Sequence, residues 1–191
     1  ARIARRLVDL SSNSIGMMGT VFPSDHPTLA GQPFTLQEYY ASCHWNGSMT
    51  LLFLPISRHS QNILRSSNRT ASISVSSESP AARSARVSLI GTVTVFDQVK
   101  SVPDVAHLQQ CYLDKHPDAK WWLPDDDEAA HISYWAMFHP HTVYFVGGFG
   151  DKHYIGFIPL NLYQSATPDV YQAATPERGV AGRILIEQSI Y

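Results

Sequence analysis

The sequence is poor in charge, in cysteine and in long apolar runs. Charged residues make up 16% of the 191 residues and the formal net charge is -2. There is therefore no general basic field to draw in nucleic-acid phosphates or an anionic membrane, and no nucleic-acid partner is expected. No apolar run approaches the roughly 20 residues needed to span a bilayer as a helix. The two cysteines have neither a CxxC pair nor a Cys/His cluster around them, which excludes a structural zinc site of the usual spacing. No G-x-S-x-G elbow is present to expose a nucleophilic serine.

A dinucleotide fingerprint is missing too. The glycine-rich stretch "FVGGFGDKHYIGF" (145–157) has glycines at 147, 148, 150 and 156, which is not the G-x-G-x-x-G spacing. The residues after the turn, "KHYIGFIPL", alternate like a strand and meet Pro159, so no helix N-terminus opens there for a phosphate. A strand–turn–strand reading remains, with the glycines supplying positive φ in the turn. The nine histidines show no HxxxH spacing, and the "DDDE" run at 125–128 lacks the glycine of a calcium loop. No metal site is expected, and that run reads as a solvated loop.

What is present is a 44% apolar chain long enough for one sizeable core. Cys43 and Cys111 are either two unrelated buried thiols or one disulfide. Two sequons, "NGS" at Asn46 and "NRT" at Asn68, lie beside turn-forming residues. Together with the even cysteine count they favour an oxidising compartment. The expectation is a Cys43–Cys111 disulfide, N-linked glycans on Asn46 and Asn68, and a secreted or lumenal protein. The chain opens on "ARIARRLVDL" without a methionine, consistent with a signal peptide already removed.

Periodicity places a short helix at the N-terminus with Ile3, Leu7 and Leu10 inward. "SIGMMGTVF" and "PFTLQEYYASC" read as strands. The near-continuous apolar "SMTLLFLP" reads as a strand covered on both faces. A helix comes next in "ISRHSQNILRSSN", capped by Ser57, with Ile63 and Leu64 inward. "TASISVSS" and "RVSLIGTVTVFD" alternate, and Gly91 inside the latter signals a bulge or a close backbone approach. A second helix spans "SVPDVAHLQQCYLDKHP" and ends at Pro117. "HISYWAMFHPHTVYFVGG" reads as two strands folded at His139-Pro140-His141. Strands with a few short helices describe an antiparallel barrel with helical plugs.

The ordered pieces "GTVF…GQPF…LLFLPISRHSQNI…TASISV…VSLIGTV…KHPDAKWW…VYFVGGFG" resemble the CREG family, the cellular repressors of adenovirus-early-protein-stimulated genes. These are secreted or lysosomal glycoproteins. The resemblance spans residues 1–165 as one domain and leaves 166–191 as a C-terminal extension. It implies a mainly β (α+β) fold, the antiparallel split β-barrel of the FMN-binding type. The "GGFGDKHYI" turn is also similar to the glycine-phenylalanine-glycine segment of haem-utilisation split barrels. Flavin-binding relatives hold phosphate where the helix begins after the long apolar strand. Carried over, Ser57, His59, Ser60 and Asn62 are the candidate cofactor-binding residues. Gln61 replaces the arginine usual in those relatives, removing a bidentate phosphate partner.

The implied function is a non-catalytic secreted or vacuolar glycoprotein, acting through binding or as a structural component, with no bound cofactor. The alternative is a flavin- or haem-binding oxidoreductase using FMN or haem. On that alternative the glycine turn rims a crevice shared with His59 and Asn62, with Lys152 and His153 nearby. The resemblance also implies a homodimer. Tyr134, Trp135 and Phe138 alternate on both faces of their strand, so one set requires cover from beyond the barrel.

Overall fold

The computed structural model describes residues 1–79, 81–150 and 152–167. Most of the expected C-terminal extension, residues 168–191, lies outside the described residues. Seven antiparallel strands form one sheet: β1 (Ile15–Val21), β2 (Pro33–Tyr39), β3 (Met49–Phe53), β4 (Thr70–Ser76), β5 (Arg86–Phe96), β6 (Tyr134–Val146) and β7 (Ile155–Ile158). Their order is β2-β1-β4-β5-β6-β3, with β7 paired to β6 off that path. The hydrogen-bonded ladder is not a closed barrel. Among the described residues the edge strand β3 is reached from the β2 side through one bridge, between Thr50 and Ala41, two residues past the end of β2. The helices are α1 (Arg2–Asp9), α2 (Arg58–Arg65), α3 (Val105–Lys115) and α4 (Leu160–Ser165). The result is a mixed α/β fold built on an antiparallel sheet.

Two apolar clusters hold it together. The larger fills the concave side of the sheet, with Met18, Ile73, Leu89, Phe138 and Val143 meeting α1, α2 and α4 through Val8, Ile63 and Tyr163. The smaller lies behind β3 and β6, where Leu52 and Trp135 pack against Leu108 and Tyr112 of α3. Because β3 runs between the two clusters, all five of its residues are buried, as its unbroken apolar run predicts.

Several local features trace to single residues. Ser57 caps α2, its hydroxyl accepting from the Ser60 N–H at 3.3 Å. At Gly91 the β5–β6 register shifts, and a Cβ there would collide with the His139 carbonyl. Both effects expected of a glycine inside a strand occur together. β6 and β7 form the hairpin read from the glycine stretch, closed by Gly147 N–H donating to the Tyr154 carbonyl at 2.9 Å.

Four expectations are corrected. His139-Pro140-His141 does not fold two strands back on each other; β6 runs unbroken for 13 residues. The bulge opposite Gly91 absorbs the extra residue, so the strand passes the proline without ending. In α1 the buried face is Ala4, Arg5 and Val8, whereas Ile3 and Leu10 are exposed. A buried guanidinium decides that rotation: Arg5 donates to Asp9 Oδ2 from both Nε and Nη2, and to the Trp45, Tyr163 and Gln164 carbonyls from Nη1. In α2 Leu64 is exposed and Ile63 alone of the two is buried, because His59 and Asn62 take the inward face. Finally, Trp135 gets its cover within the chain, from the Tyr112 ring at 5.5 Å edge-to-face, while Phe138 faces the main core. The alternation of these aromatics therefore requires no second subunit.

Candidate functional site

The residues carried over as a cofactor cradle lie at the entrance of α2, where it packs on β1. His59, Ser60 and Asn62 are 3%, 4% and 1% exposed, so their side chains belong to the interior; Ser57 is half-buried. His59 Nε2 lies 3.3 Å from the Leu36 carbonyl of β2. A carbonyl only accepts, so Nε2 carries the proton and Nδ1 is the acceptor. The Thr20 hydroxyl, 3.1 Å from Nδ1, then donates to it. Its oxygen accepts from Asn62 Nδ2 at 3.1 Å. The chain Asn62–Thr20–His59–Leu36 thus runs in one donor direction and stitches α2 to β1 and β2.

The surroundings reinforce this state. Burial holds the His59 pKa below the usual imidazole value, with the Leu36 carbonyl opposing it. The Phe34 ring lies 4.9 Å from the imidazole, and the Arg58 guanidinium sits 5.5 Å over Phe22. Gln61, at the position of the expected arginine, donates through Nε2 to the Pro55 carbonyl at 3.3 Å. Asn62 Oδ1 is buried with no hydrogen-bond partner among the described residues.

Sequence reasoning finds His59 and Asn62 but not Thr20, their common partner. The signal is the alternation of β1: Gly16, Met18 and Thr20 share the inward face, and Thr20 is the polar one.

The other expected residues lie elsewhere. Cys43 and Cys111 form a disulfide with their Cα atoms 5.9 Å apart, which ties the segment after β2 to α3. Asn68 is exposed in the turn after α2. Asn46 is half-buried in the β2–β3 connection, its Oδ1 accepting from the Ser48 N–H at 3.0 Å. The Gly147–Gly150 turn packs Gly148 beside the Arg83 carbonyl and the His153 ring. Among the described residues no group of three or more His, Cys, Asp or Glu is placed to hold a metal, and no helix is long and apolar enough to cross a membrane.

A second polar group with unusual surroundings carries no signal in the sequence pattern. Glu38 of β2 faces a cavity of about 350 Å³ bounded by Tyr39, Leu52, Leu54, Tyr112 and Trp122. Burial raises its carboxyl pKa to about 7, against the lowering effect of the Tyr39 N–H.

Residues 1–165 match the protein family described as CREG, beta-barrel. No curated protein matches the sequence. Among solved structures the fold resembles a haem-binding protein from Mycobacterium smegmatis, with a TM-score of 0.65 and 20% identity over 88% of this chain. This chain spans 62% of the length of that protein. It also resembles General Stress Protein 26 from Bacillus anthracis, with a TM-score of 0.51 and 10% identity over 81% of this chain and 97% of the other. At these identities the likenesses are of fold alone.

Proposed function

The chain belongs to the CREG beta-barrel family, and from that membership we propose a secreted or vacuolar glycoprotein that works by binding, without flavin chemistry. The observation that carries this reading is the bond chain Asn62–Thr20–His59–Leu36. It commits the polar atoms of the α2 entrance to holding α2 against two strands. Asn62 Oδ1, buried there without a partner among the described residues, is an acceptor, the wrong polarity for a phosphate oxygen. The Ser60 N–H, a donor that a helix N-terminus would offer an anion, is already bonded to Ser57. The residues present fit an FMN phosphate poorly.

The disulfide supports an oxidising compartment. The exposed Asn68 turn and the Asn46 loop support glycans at both sequons. Peptide mapping after amidase treatment of natively purified protein tests this part: aspartate is expected at positions 46 and 68, and unmodified asparagine at both would remove the case for secretion. Within this reading residues 1–165 are the binding domain, 166–191 an extension, and the protein a homodimer by its family resemblance. Light scattering at micromolar concentration giving a monomer mass would count against the dimer.

A second reading is favoured by one observation, the fold shared with a haem-binding protein over 88% of this chain. On that reading the protein binds haem and belongs to the redox members of the superfamily. Titration with haemin separates the two: a Soret shift saturating near one haem per chain supports it, and a shift no greater than that of an unrelated protein of similar size rejects it.

A further inference from the structure

Glu38 lies where a carboxylate is costly. It is half-buried on β2, and its cavity is walled by Ile15, Leu52 and Leu54 beside Tyr39, Tyr112 and Trp122. Its Oε1 accepts one bond, from the Tyr39 N–H at 3.2 Å. Among the described residues no cation answers it: the salt bridge there is Arg5–Asp9, on α1. A desolvated carboxylate without a partner ordinarily neutralises or finds a counter-charge. The cavity is of the size that takes a small molecule, and its aromatic walls favour a cation over an anion. One carboxylate with no further clustered ligands excludes a metal ion among the described residues. What fits is a positive group on an apolar body.

We propose that this cavity between β2, β3 and α3 binds a small organic cation, an ammonium group paired with Glu38 and an apolar body against Leu52, Leu54 and Trp122. The site is built from both sides of the disulfide. Cys111 neighbours Tyr112 and Cys43 lies just past β2, so the bridge fixes the α3 wall against the β2 wall. The groups around the carboxylate are acidic or neutral. Tyr39 donates its hydroxyl to Asp118 Oδ2 at 3.2 Å and stacks on His116 at 4.1 Å. Burial keeps the Tyr112 phenol protonated and the His116 imidazole below its usual pKa. His116 Nε2 is engaged with the Tyr40 carbonyl at 2.9 Å. Asp118 adds negative field and no counter-charge.

The raised carboxyl pKa of about 7 gives the site a pH signature. Glu38 attracts a cation when ionised, so affinity is expected to fall as pH drops through about 7. Haem or flavin binding is a separate question, and neither outcome there bears on this cavity.

Isothermal titration with benzylammonium, and with benzyl alcohol as its uncharged counterpart, tests the proposal on the intact protein. At about pH 8 the ammonium is expected to bind at least about tenfold tighter than the alcohol. The preference should shrink by a similar factor near pH 5.5, where the ammonium is still charged and Glu38 is not. Glu38→Gln should abolish the preference while the circular dichroism spectrum stays unchanged. The pH series on the wild-type protein gives the answer even if the variant folds poorly. Equal affinity for the alcohol, a preference indifferent to pH, or no binding of either probe at millimolar concentration would overturn the site.

Discussion

The Cys43 and Cys111 Cα atoms stand 5.9 Å apart across 68 residues of sequence. The bond joins the end of β2 to the middle of α3, and so anchors the smaller apolar cluster to the sheet. Titration of the denatured, unreduced protein should find no free thiol. A Cys43→Ser, Cys111→Ser double variant should lose roughly 4 kcal/mol by the loop-entropy relation, read as a lower denaturant midpoint. Near-normal stability in the double variant would mean that α3 is held by packing alone.

Thr20 serves two partners at once, so its removal is expected to cost more than one hydrogen bond. Thr20→Val keeps the shape but leaves Asn62 Nδ2 and His59 Nδ1 buried without partners. The expected loss is about 2–4 kcal/mol, measurable by urea unfolding. Thr20→Ser retains the hydroxyl and should recover most of it.

Glu38 and the buried histidines push stability in opposite directions with pH. The folded carboxyl pKa of about 7 lies above its ordinary 4.5, so the folded state holds that proton more tightly than the unfolded chain does. Its stabilising contribution is complete below about pH 4.5 and is lost as pH rises through about 7. Glu38→Gln should therefore raise the melting temperature at about pH 8, by the equivalent of about 1–2 kcal/mol after discounting for partial exposure. The two curves should converge at low pH. His44, His59, His116 and His139 are all held below 6.5 by burial. Their contribution is present above 6.5 and is lost as pH falls through their lowered values, and that loss should persist in the variant.

The β6–β7 turn depends on Gly148, whose φ is +152° and whose Cβ would stand 2.9 Å from the Arg83 carbonyl. Gly148→Val is expected to cost about 1–3 kcal/mol. Gly150, with φ +89° and no atom of the described residues beyond its chain neighbours within 4 Å of where a Cβ would stand, should accept asparagine with a much smaller loss, because asparagine tolerates the left-handed region. Equal losses at the two positions would show that backbone conformation alone, and not the Arg83 contact, sets the requirement.

Features with a local cause are legible in the sequence. The Ser57 cap, the apolar run of β3, the Gly91 bulge and the glycine hairpin each depend on a few neighbouring residues. The disulfide rests on cysteine count and sequons, and it forms. Sequence patterns mislead where a distant partner decides. Arg5 is buried because of carbonyls 40 to 159 residues away, and α1 keeps Leu7 against the core while Ile3 and Leu10 turn outward. Pro140 reads as a break until β5 is placed beside it. Glu38 in an alternating strand reads as solvent-facing until Leu52, Leu54 and Tyr112 are placed around the same cavity. The α2 entrance is legible as a special place, but its inward bonds require the positions of Thr20 and Leu36.

On the proposed reading the α2 entrance serves the fold and the protein works without flavin. One absorbance scan of protein purified from its native source tests this most directly. The expected spectrum has the aromatic band alone in the ultraviolet, with no flavin absorption in the blue. A flavin spectrum in near-stoichiometric amount, released on denaturation, would contradict it.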